Sequence, residues 1–291
     1  MAKEQEEKVF HKTSINWYPG HMAKTKRLIK EKIDLVDIVY EVIDSRIPKS
    51  SKIKDIDDII KNKKRILIMT KMDLCDLEKT NKWVKYYEEK SYKVILVDLI
   101  NGKNVNKIIE ETNKLMLEMN KKREQKGLKT RKIRALVIGI PNVGKSTLIN
   151  KLAGRKAVNV GNKPGVTKSL DWIRINKDVE LLDTPGILWP KLDDEKISYN
   201  LASMTAIKEE ILPMDKVCFY ILKKLSSEYS LLLEKRYGFK NFEEDNIIEC
   251  LDLIGKKRGC LIRGGEVDYD KVYQVVLRDL RDGLVGNVTF D

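Results

Sequence analysis

The amino-acid sequence predicts an α/β protein: a doubly wound, mostly parallel sheet followed by a smaller helical domain. Three observations lead there. Between residues 33 and 182, short apolar runs rich in β-branched residues alternate with amphipathic stretches, the pattern of a parallel sheet covered on both faces. One of those runs passes through a glycine-rich turn directly into a helical stretch. After Trp189-Pro190 the strand pattern stops and residues 195–282 read mostly as helices, which places a domain boundary close to 190.

Taken in order, residues 1–14 are charged and aperiodic and read as a solvated tail. Residues 33–44 form one strand-like run ending near Asp44, and 45–51, with Pro48, break it. Residues 65–69 are short and apolar enough for a buried parallel strand. A helix is expected over 78–90, with Trp83, Tyr86 and Tyr87 on one face, then a strand over 93–97. Residues 105–119 make an amphipathic helix on Val105, Ile108, Ile109, Thr112, Leu115, Met116 and Met119. A strand over 133–138, the glycine turn, a helix over 145–152 and a strand over 179–182 follow. Among the later helices a loop is expected around 255–265.

The 291 residues are enough for one large or two ordinary domains with a buried core. With 42% hydrophobic and 35% charged residues, the chain is neither disordered throughout nor a membrane protein. Its longest apolar stretches, such as 217–222, fall far short of the ~18 residues a spanning helix needs, and residues 1–8 lack the apolar core of a secretory signal. Four cysteines without a C-x-x-C pair suggest neither a zinc site nor a disulfide framework; reduced thiols in a cytosol are expected. The net charge of +13 favours a polyanionic partner. Eight basic residues and one acid lie within 121–134, and four more basics without an acid within 155–168. Such runs are either solvated linkers or a polyanion-facing surface.

The two basic runs flank the strongest motif. Gly139-Ile140-Pro141-Asn142-Val143-Gly144-Lys145-Ser146-Thr147 fits G-x-x-x-x-G-K-[ST], after an expected strand and before an expected helix, the context that motif requires. Glycines let the backbone wrap closely, so the N–H groups from Val143 to Thr147 and the helix N-terminus point at a β-phosphate. Lys145 would bridge β- and γ-phosphates and the Ser146 hydroxyl would ligate Mg2+. Asp183-Thr184-Pro185-Gly186 closes the 179–182 strand; its carboxylate would hold Mg2+, usually through water, and the Gly186 N–H would touch the γ-phosphate. Thr167, between these motifs, would close on the metal when triphosphate is bound.

Thr70-Lys71-Met72-Asp73 follows the 65–69 strand and resembles the guanine-reading N-K-x-D element, with Thr70 where Asn is usual. An Asp73 carboxylate accepts from guanine N1–H and the 2-amino group; adenine offers no such pair, so ATP is disfavoured. Lys71 would lay its stem over the base. A second base loop is expected at 97–102, with Asp98 and Leu99, although it lacks the usual Ser-Ala.

Base motifs here precede the phosphate loop, and the switches come last. In that order the chain resembles the circularly permuted GTPases, and specifically the ribosome biogenesis GTPase A (YlqF/RbgA) family. Trp17-Tyr18-Pro19-Gly20-His21-Met22, Asp44-Ser45-Arg46-Ile47-Pro48, the phosphate loop, 183–190 and Gly255-Lys256-Lys257-Arg258-Gly259-Cys260 are all similar to that family's signatures. They extend over about residues 15–290. The resemblance implies a GTPase domain over 15–190, with base motifs at 70–73 and 98–102 and switches at 155–168 and 183–190. It also implies a helical RNA-binding domain over 191–291.

It further implies a cytoplasmic, monomeric GTP hydrolase, binding GTP and GDP, that acts on the precursor of the large (50S) ribosomal subunit late in bacterial assembly, with no membrane partner. Ras-like proteins carry a water-orienting Gln after the glycine of the switch; Ile187 stands there, so slow hydrolysis without a partner is expected. Asn142 resembles the Asn with which related GTPases coordinate K+, where a cation offsets developing charge; an Asn satisfying loop backbone is the alternative. His21 is placed near the attacking water by the resemblance, whereas on the residues alone a structural histidine is open. Lys256, Lys257, Arg258 and Arg263, among glycines, suit the phosphates of folded RNA or an ordinary solvated turn. A GTP-gated RNA chaperone with little hydrolysis is the other reading of the whole.

Overall fold

The structure, a computed structural model, describes residues 20–54, 56–128, 131–159, 172–186, 194–204, 206–207 and 213–291. The described strands are β1 (Ile38–Asp44), β2 (Lys64–Thr70), β3 (Lys93–Leu96), β4 (Ile133–Gly139), β5 (Trp172–Arg174) and β6 (Val179–Leu182). They form one sheet in the order β3-β2-β1-β4-β6-β5, parallel except for β5. β1 is buried along its whole length and β2 over its last five residues, as near-continuous apolar strands covered on both faces should be. Helices α1 (Gly20–Lys32), α2 (Asp57–Ile60), α3 (Leu77–Glu89), α4 (Val105–Gln125) and α5 (Lys145–Ala153) connect or flank them. From residue 195 on come α6 (Glu195–Ser203), α7 (Met214–Glu228), α8 (Ser230–Tyr237), α9 (Ile247–Arg258) and α10 (Tyr269–Arg281). Among the described residues no helix is long and apolar enough to cross a membrane. All four cysteines are buried and free.

Four elements differ from the sequence reading. The 33–44 run is not one strand: Ile33–Leu35 is a single 3-10 turn closing α1, and β1 starts at Ile38. Thr25, Ile29 and Ile33 are buried at helical spacing, so the apolar start of that run belongs to α1. Helix α4 continues to Gln125, past the expected end, so the first basic residues of the 121–134 run are helical; Lys122 and Arg123 sit in its last turn, where cations suit the helix dipole. The short edge strand β5 was not foreseen; Trp172 on it lies under the Arg134 guanidinium, 5.1 Å from the ring centroid. Finally, α9 runs through Arg258, so Gly255 and the three cations are helical rather than part of a loop. Gly255 is there because Val267 packs against it: a Cβ would sit 2.5 Å from Val267 Cγ1.

Asp76, Asp194 and Asp268 cap α3, α6 and α10 by accepting from backbone N–H groups of the first turn, a favourable use of a short acceptor. Val272, Val276, Leu277 and Leu280 bury one face of α10. Beyond it, residues 284–291 return to the GTPase-like sheet: Phe290 N donates to Arg46 O at 2.7 Å and Val288 N to Leu74 O at 3.2 Å. Both side chains are fully buried.

The two parts meet on Arg46, which is 1% exposed. Its Nε and one terminal nitrogen donate to the two oxygens of Asp44 at 3.1 and 2.9 Å, while the other reaches Leu280 O and Arg281 O at 3.3 and 3.1 Å. Burial alone would raise the Asp44 carboxyl, but the adjoining Arg46 and Lys71 cations hold it well below the usual carboxylate range. The ion pair's contribution is therefore complete above the ordinary carboxylate pKa and is lost as pH falls below it. Arg46→Ala leaves a buried carboxylate and two carbonyls without these donors. In urea unfolding at neutral pH it should cost about 3–5 kcal/mol; a loss under about 1 kcal/mol would contradict this role.

Candidate functional site

Chain order reverses between β1 and β4: β2 and β3 lie beyond β1, β6 and β5 beyond β4. Open α/β sheets bind ligands at the carboxyl ends of the strands at such a switch point. Here the carboxyl ends carry Asp44, Thr70, Gly139 and Asp183, because β1 pairs Asp44 with Thr70 and Val42 with Gly139, and Asp183 follows β6.

Gly139 permits the turn out of β4, since a Cβ there would lie 2.5 Å from Val42 O. Asn142 and Gly144 adopt left-handed backbone, φ 59° and 97°, and Gly144 is the N-cap of α5. Asn tolerates that conformation better than most residues, which accounts for Asn142 as a backbone choice whatever else its side chain does. Ser146 and Thr147 are half-buried in the first turn of α5. Lys145 is 8% exposed and its Nζ folds back to Gly139 O at 3.1 Å and Ile140 O at 2.8 Å. Burial pushes its pKa down from 10.5 to about 8, with Asp183 opposing the shift.

Asp183 is 2% exposed, and next to it Thr184 Oγ1 donates to Val137 O at 2.7 Å. A Cβ on Gly186 would fall 2.6 Å from Pro141 N; Gly186 thus lies directly on the 139–147 loop, and only glycine fits. Hydroxyl and carboxylate oxygens from Ser146 and Asp183 form a hard donor set that suits Mg2+.

On the base side, Thr70 Oγ1 lies 2.6 Å from Val143 O and 3.1 Å from Ile43 O, fastening the base strand to the phosphate loop. Leu99 packs on the same loop, 3.3 Å from where a Gly144 Cβ would be. Lys71, at φ 59°, pairs with Asp44 at 2.8 Å. Burial, with the Asp98 charge adding to it, raises the pKa of Asp73, and Met72 N donates to Val97 O at 3.2 Å, which joins the 70–73 and 97–102 segments. Asp98 is otherwise engaged: its carboxylate accepts from Ile100 N, Asn101 N and Asn101 Nδ2 at 2.8, 2.9 and 2.7 Å. It shapes the second base loop.

Thr167 and Ile187 lie outside the described residues; His21 is in the first turn of α1, and its side chain is outside them too. Lys256, Lys257 and Arg263 are exposed, far along the chain in the helical part. Arg258 is half-buried and donates to Arg236 O at 2.6 Å, 5.8 Å from the Tyr237 ring, so it serves the packing of α8 on α9. Sequence reading gave no role to Asp44 and Arg46; a charged pair two residues apart at the end of a buried strand was the available signal. Nothing in the sequence pointed to Asn287, whose Nδ2 reaches Asp73 O at 3.2 Å.

The protein-family model described as "50S ribosome-binding GTPase" matches residues 134–250. The chain is 47% identical to the ribosome biogenesis GTPase A of Priestia megaterium over 279 residues, 96% of each chain. It is 31% identical to that of Thermotoga maritima, over 95% of this chain and 94% of the other. Among solved structures it is similar to GNP-bound YlqF from T. maritima: TM-score 0.63, 25% identity, 92% of this chain and 97% of that one. GDP-bound YlqF, at TM-score 0.65 and 24% identity over 91% and 98%, shares the fold.

Two outcomes follow from this geometry. Phosphates beside Lys145 should restore its depressed pKa, so nucleotide binding takes up about half a proton at this group near pH 8, close to one near pH 9, and almost none below about pH 7. Calorimetric titration of GDP in buffers of different ionisation enthalpy checks it; equal proton uptake at pH 7 and pH 9 would contradict it. Thr70→Val removes the donor to the phosphate loop and should cost about 1–3 kcal/mol in urea unfolding, with Thr70→Ser close to wild type. Indistinguishable stabilities for Val and Ser variants would show that the latch carries nothing.

Proposed function

The chain belongs to the ribosome biogenesis GTPase A family and is a ribosome-assembly GTPase; from that premise we propose that it binds the large ribosomal subunit precursor late in assembly and hydrolyses GTP in a subunit-stimulated way. The observation that carries this is the fastening of the Thr70–Asp73 base loop to the phosphate loop through Thr70 Oγ1 and Val143 O at 2.6 Å. It supports one pocket with base and phosphate readers at its two ends. In this reading Asp73 accepts from guanine N1–H and the 2-amino group, Lys71 covers the base and Leu99 closes its edge. The N–H groups from Val143 to Thr147 hold the β-phosphate, with Asn142 beside them.

Ser146 and Asp183, joined by Thr167, would hold Mg2+, which would neutralise charge on the phosphates. Water attacks the γ-phosphorus in line, the bond to the β,γ-bridging oxygen breaks, and GDP and phosphate leave. Lys145 stabilises the charge that develops on the bridging and γ-oxygens, as preorganised cations do in a water-poor site, and the Gly186 N–H anchors the γ-phosphate. No glutamine follows Gly186, so alignment of the water falls to His21 and to the ribosomal partner, with K+ beside Asn142 as a further counter-charge. Residues 15–190 form the GTPase unit, and 191–291 the helical unit that meets rRNA phosphates through Lys256, Lys257 and Arg263. The protein works as a monomer in the cytoplasm.

GTP turnover at low micromolar protein should be slow alone and rise at least about tenfold, a barrier change of about 1.4 kcal/mol, with purified 50S subunits. The rise should be greater in K+ than in Na+ and be lost in His21→Ala. Turnover unchanged by subunits would overturn stimulation, and full turnover in His21→Ala would remove that residue from the mechanism.

A further inference from the structure

Helical part and base loop are connected in detail. The segment Leu74–Asp76 follows the guanine-reading Asp73, and each of these four residues except Cys75 is held by residues 283–291. Asn287 Nδ2 donates to Asp73 O at 3.2 Å, and Val288 N donates to Leu74 O at 3.2 Å. The Leu74 side chain fills the place of a Gly283 Cβ, 2.7 Å from Cδ2. Asp76 N donates to Thr289 Oγ1 at 3.2 Å. Thr289 N in turn donates to Tyr229 Oη at 2.9 Å, and that hydroxyl reaches Asp76 Oδ2 at 3.1 Å.

The same segment grips the other flank. Phe290 N donates to Arg46 O, and Arg46 fixes Asp44, the partner of Lys71. The Asp291 carboxylate accepts from Ser50 N and Ser50 Oγ at 2.7 and 2.6 Å, and from Asn200 Nδ2 of α6 at 2.8 Å. Residues 283–291 thereby bridge both sides of the base loop to α6, α7 and α10.

The loop needs such support. Lys71 is a non-glycine residue in left-handed backbone, φ 59°, a conformation that persists where the surroundings over-determine it. Its own turn supplies Leu74 N to Lys71 O at 3.0 Å, and the 97–102 segment accepts from Met72 N at Val97 O, 3.2 Å away. The carbonyls of Asp73 and of the next residue, Leu74, are bonded by residues 287 and 288.

We propose that residues 283–291, through Asn287 and Val288, position the guanine-reading carboxylate, so that guanine recognition and the docking of the C-terminal helices are one coupled equilibrium. Asn287 is a positioning residue for base specificity. The proposal rests on the reading of Asp73 as the guanine acceptor. Coupling between two sites is reciprocal: whatever the segment does for guanine affinity, guanine does for the segment. A route from the guanine site to the helical part then exists.

The test uses the full chain and three measurements. Fluorescent GDP and IDP analogues, the latter lacking the 2-amino group, are titrated into wild type, Asn287→Ala and Asp73→Asn. Hydrogen exchange of the Val288 and Phe290 amides is followed with and without GDP. Asn287 has an exposed side chain, so the alanine variant should fold, and its melting temperature without nucleotide controls for this. The expected result is a GDP affinity about 3- to 10-fold weaker in Asn287→Ala with a reduced preference for GDP over IDP, and slower exchange at 288 and 290 when GDP binds. A purely structural role would weaken both nucleotides equally. If Asp73→Asn loses the preference for GDP while Asn287→Ala keeps it and GDP leaves exchange at 288 and 290 unchanged, the positioning role is overturned and the base site stands. If Asp73→Asn keeps the preference, the base-site reading fails and the proposal with it.

Discussion

The guanidinium of Arg46 lies in the interior, 1% exposed, and a charge can remain there only when it is paired and its other donors are satisfied. Its partners come from two parts of the chain, and one of them is shared with a third. Asp44 ends the central strand β1, Leu280 and Arg281 end the last helix, and Lys71, in the base loop, shares the Asp44 carboxylate. One buried ion pair therefore fixes the relation between sheet, base loop and helical part. Removing any partner exposes the cost of the others, since a half-satisfied polar network is worse than none.

That arrangement is a consequence of the strand order. With the base strands first in sequence and the phosphate strand later, β1 lies between β2 and β4, so its carboxyl end adjoins both base and phosphate motifs. The helical part follows the second switch in sequence, yet its last eight residues return to the base side. It is thus connected at both ends of the proposed nucleotide site: covalently after Gly186, and by hydrogen bonds at Asp73 and Leu74. An assembly GTPase needs its nucleotide state felt on the surface that meets its partner, and a helical part tied at two points of the pocket is well placed to transmit it.

Much of this was legible in the sequence. Apolar strands such as Ile66–Met69 and the glycine-rich turn after β4 carry their own local signal, because strand burial and close backbone approach restrict residue type directly. The segments 139–147, 183–186 and 70–73 stand out that way, and their convergence at one end of the sheet follows from parallel strands. What was missed depends on tertiary context. Among the described side chains, helix α1 and the turn that closes it show a buried stripe of Thr25, Ile29 and Ile33, too sparse to stand out among lysines. Helix α9 absorbs Gly255 because Val267 packs there, whereas glycine read alone suggests a loop. Asp98 resembles a base reader but is consumed by its own turn. Arg46 and Asn287 have distant partners, 234 and 214 positions away in sequence, and no local pattern announces such a bond.

If the chain is a GTPase of large-subunit assembly, as proposed, its association with the subunit depends on the nucleotide it holds. The most direct test is equilibrium cosedimentation of the protein with purified 50S subunits in three states: with a non-hydrolysable GTP analogue, with GDP and without nucleotide. The account predicts that the analogue strengthens association at least about tenfold over GDP, which corresponds to about 1.4 kcal/mol of coupling. Equal association in all three states would contradict it.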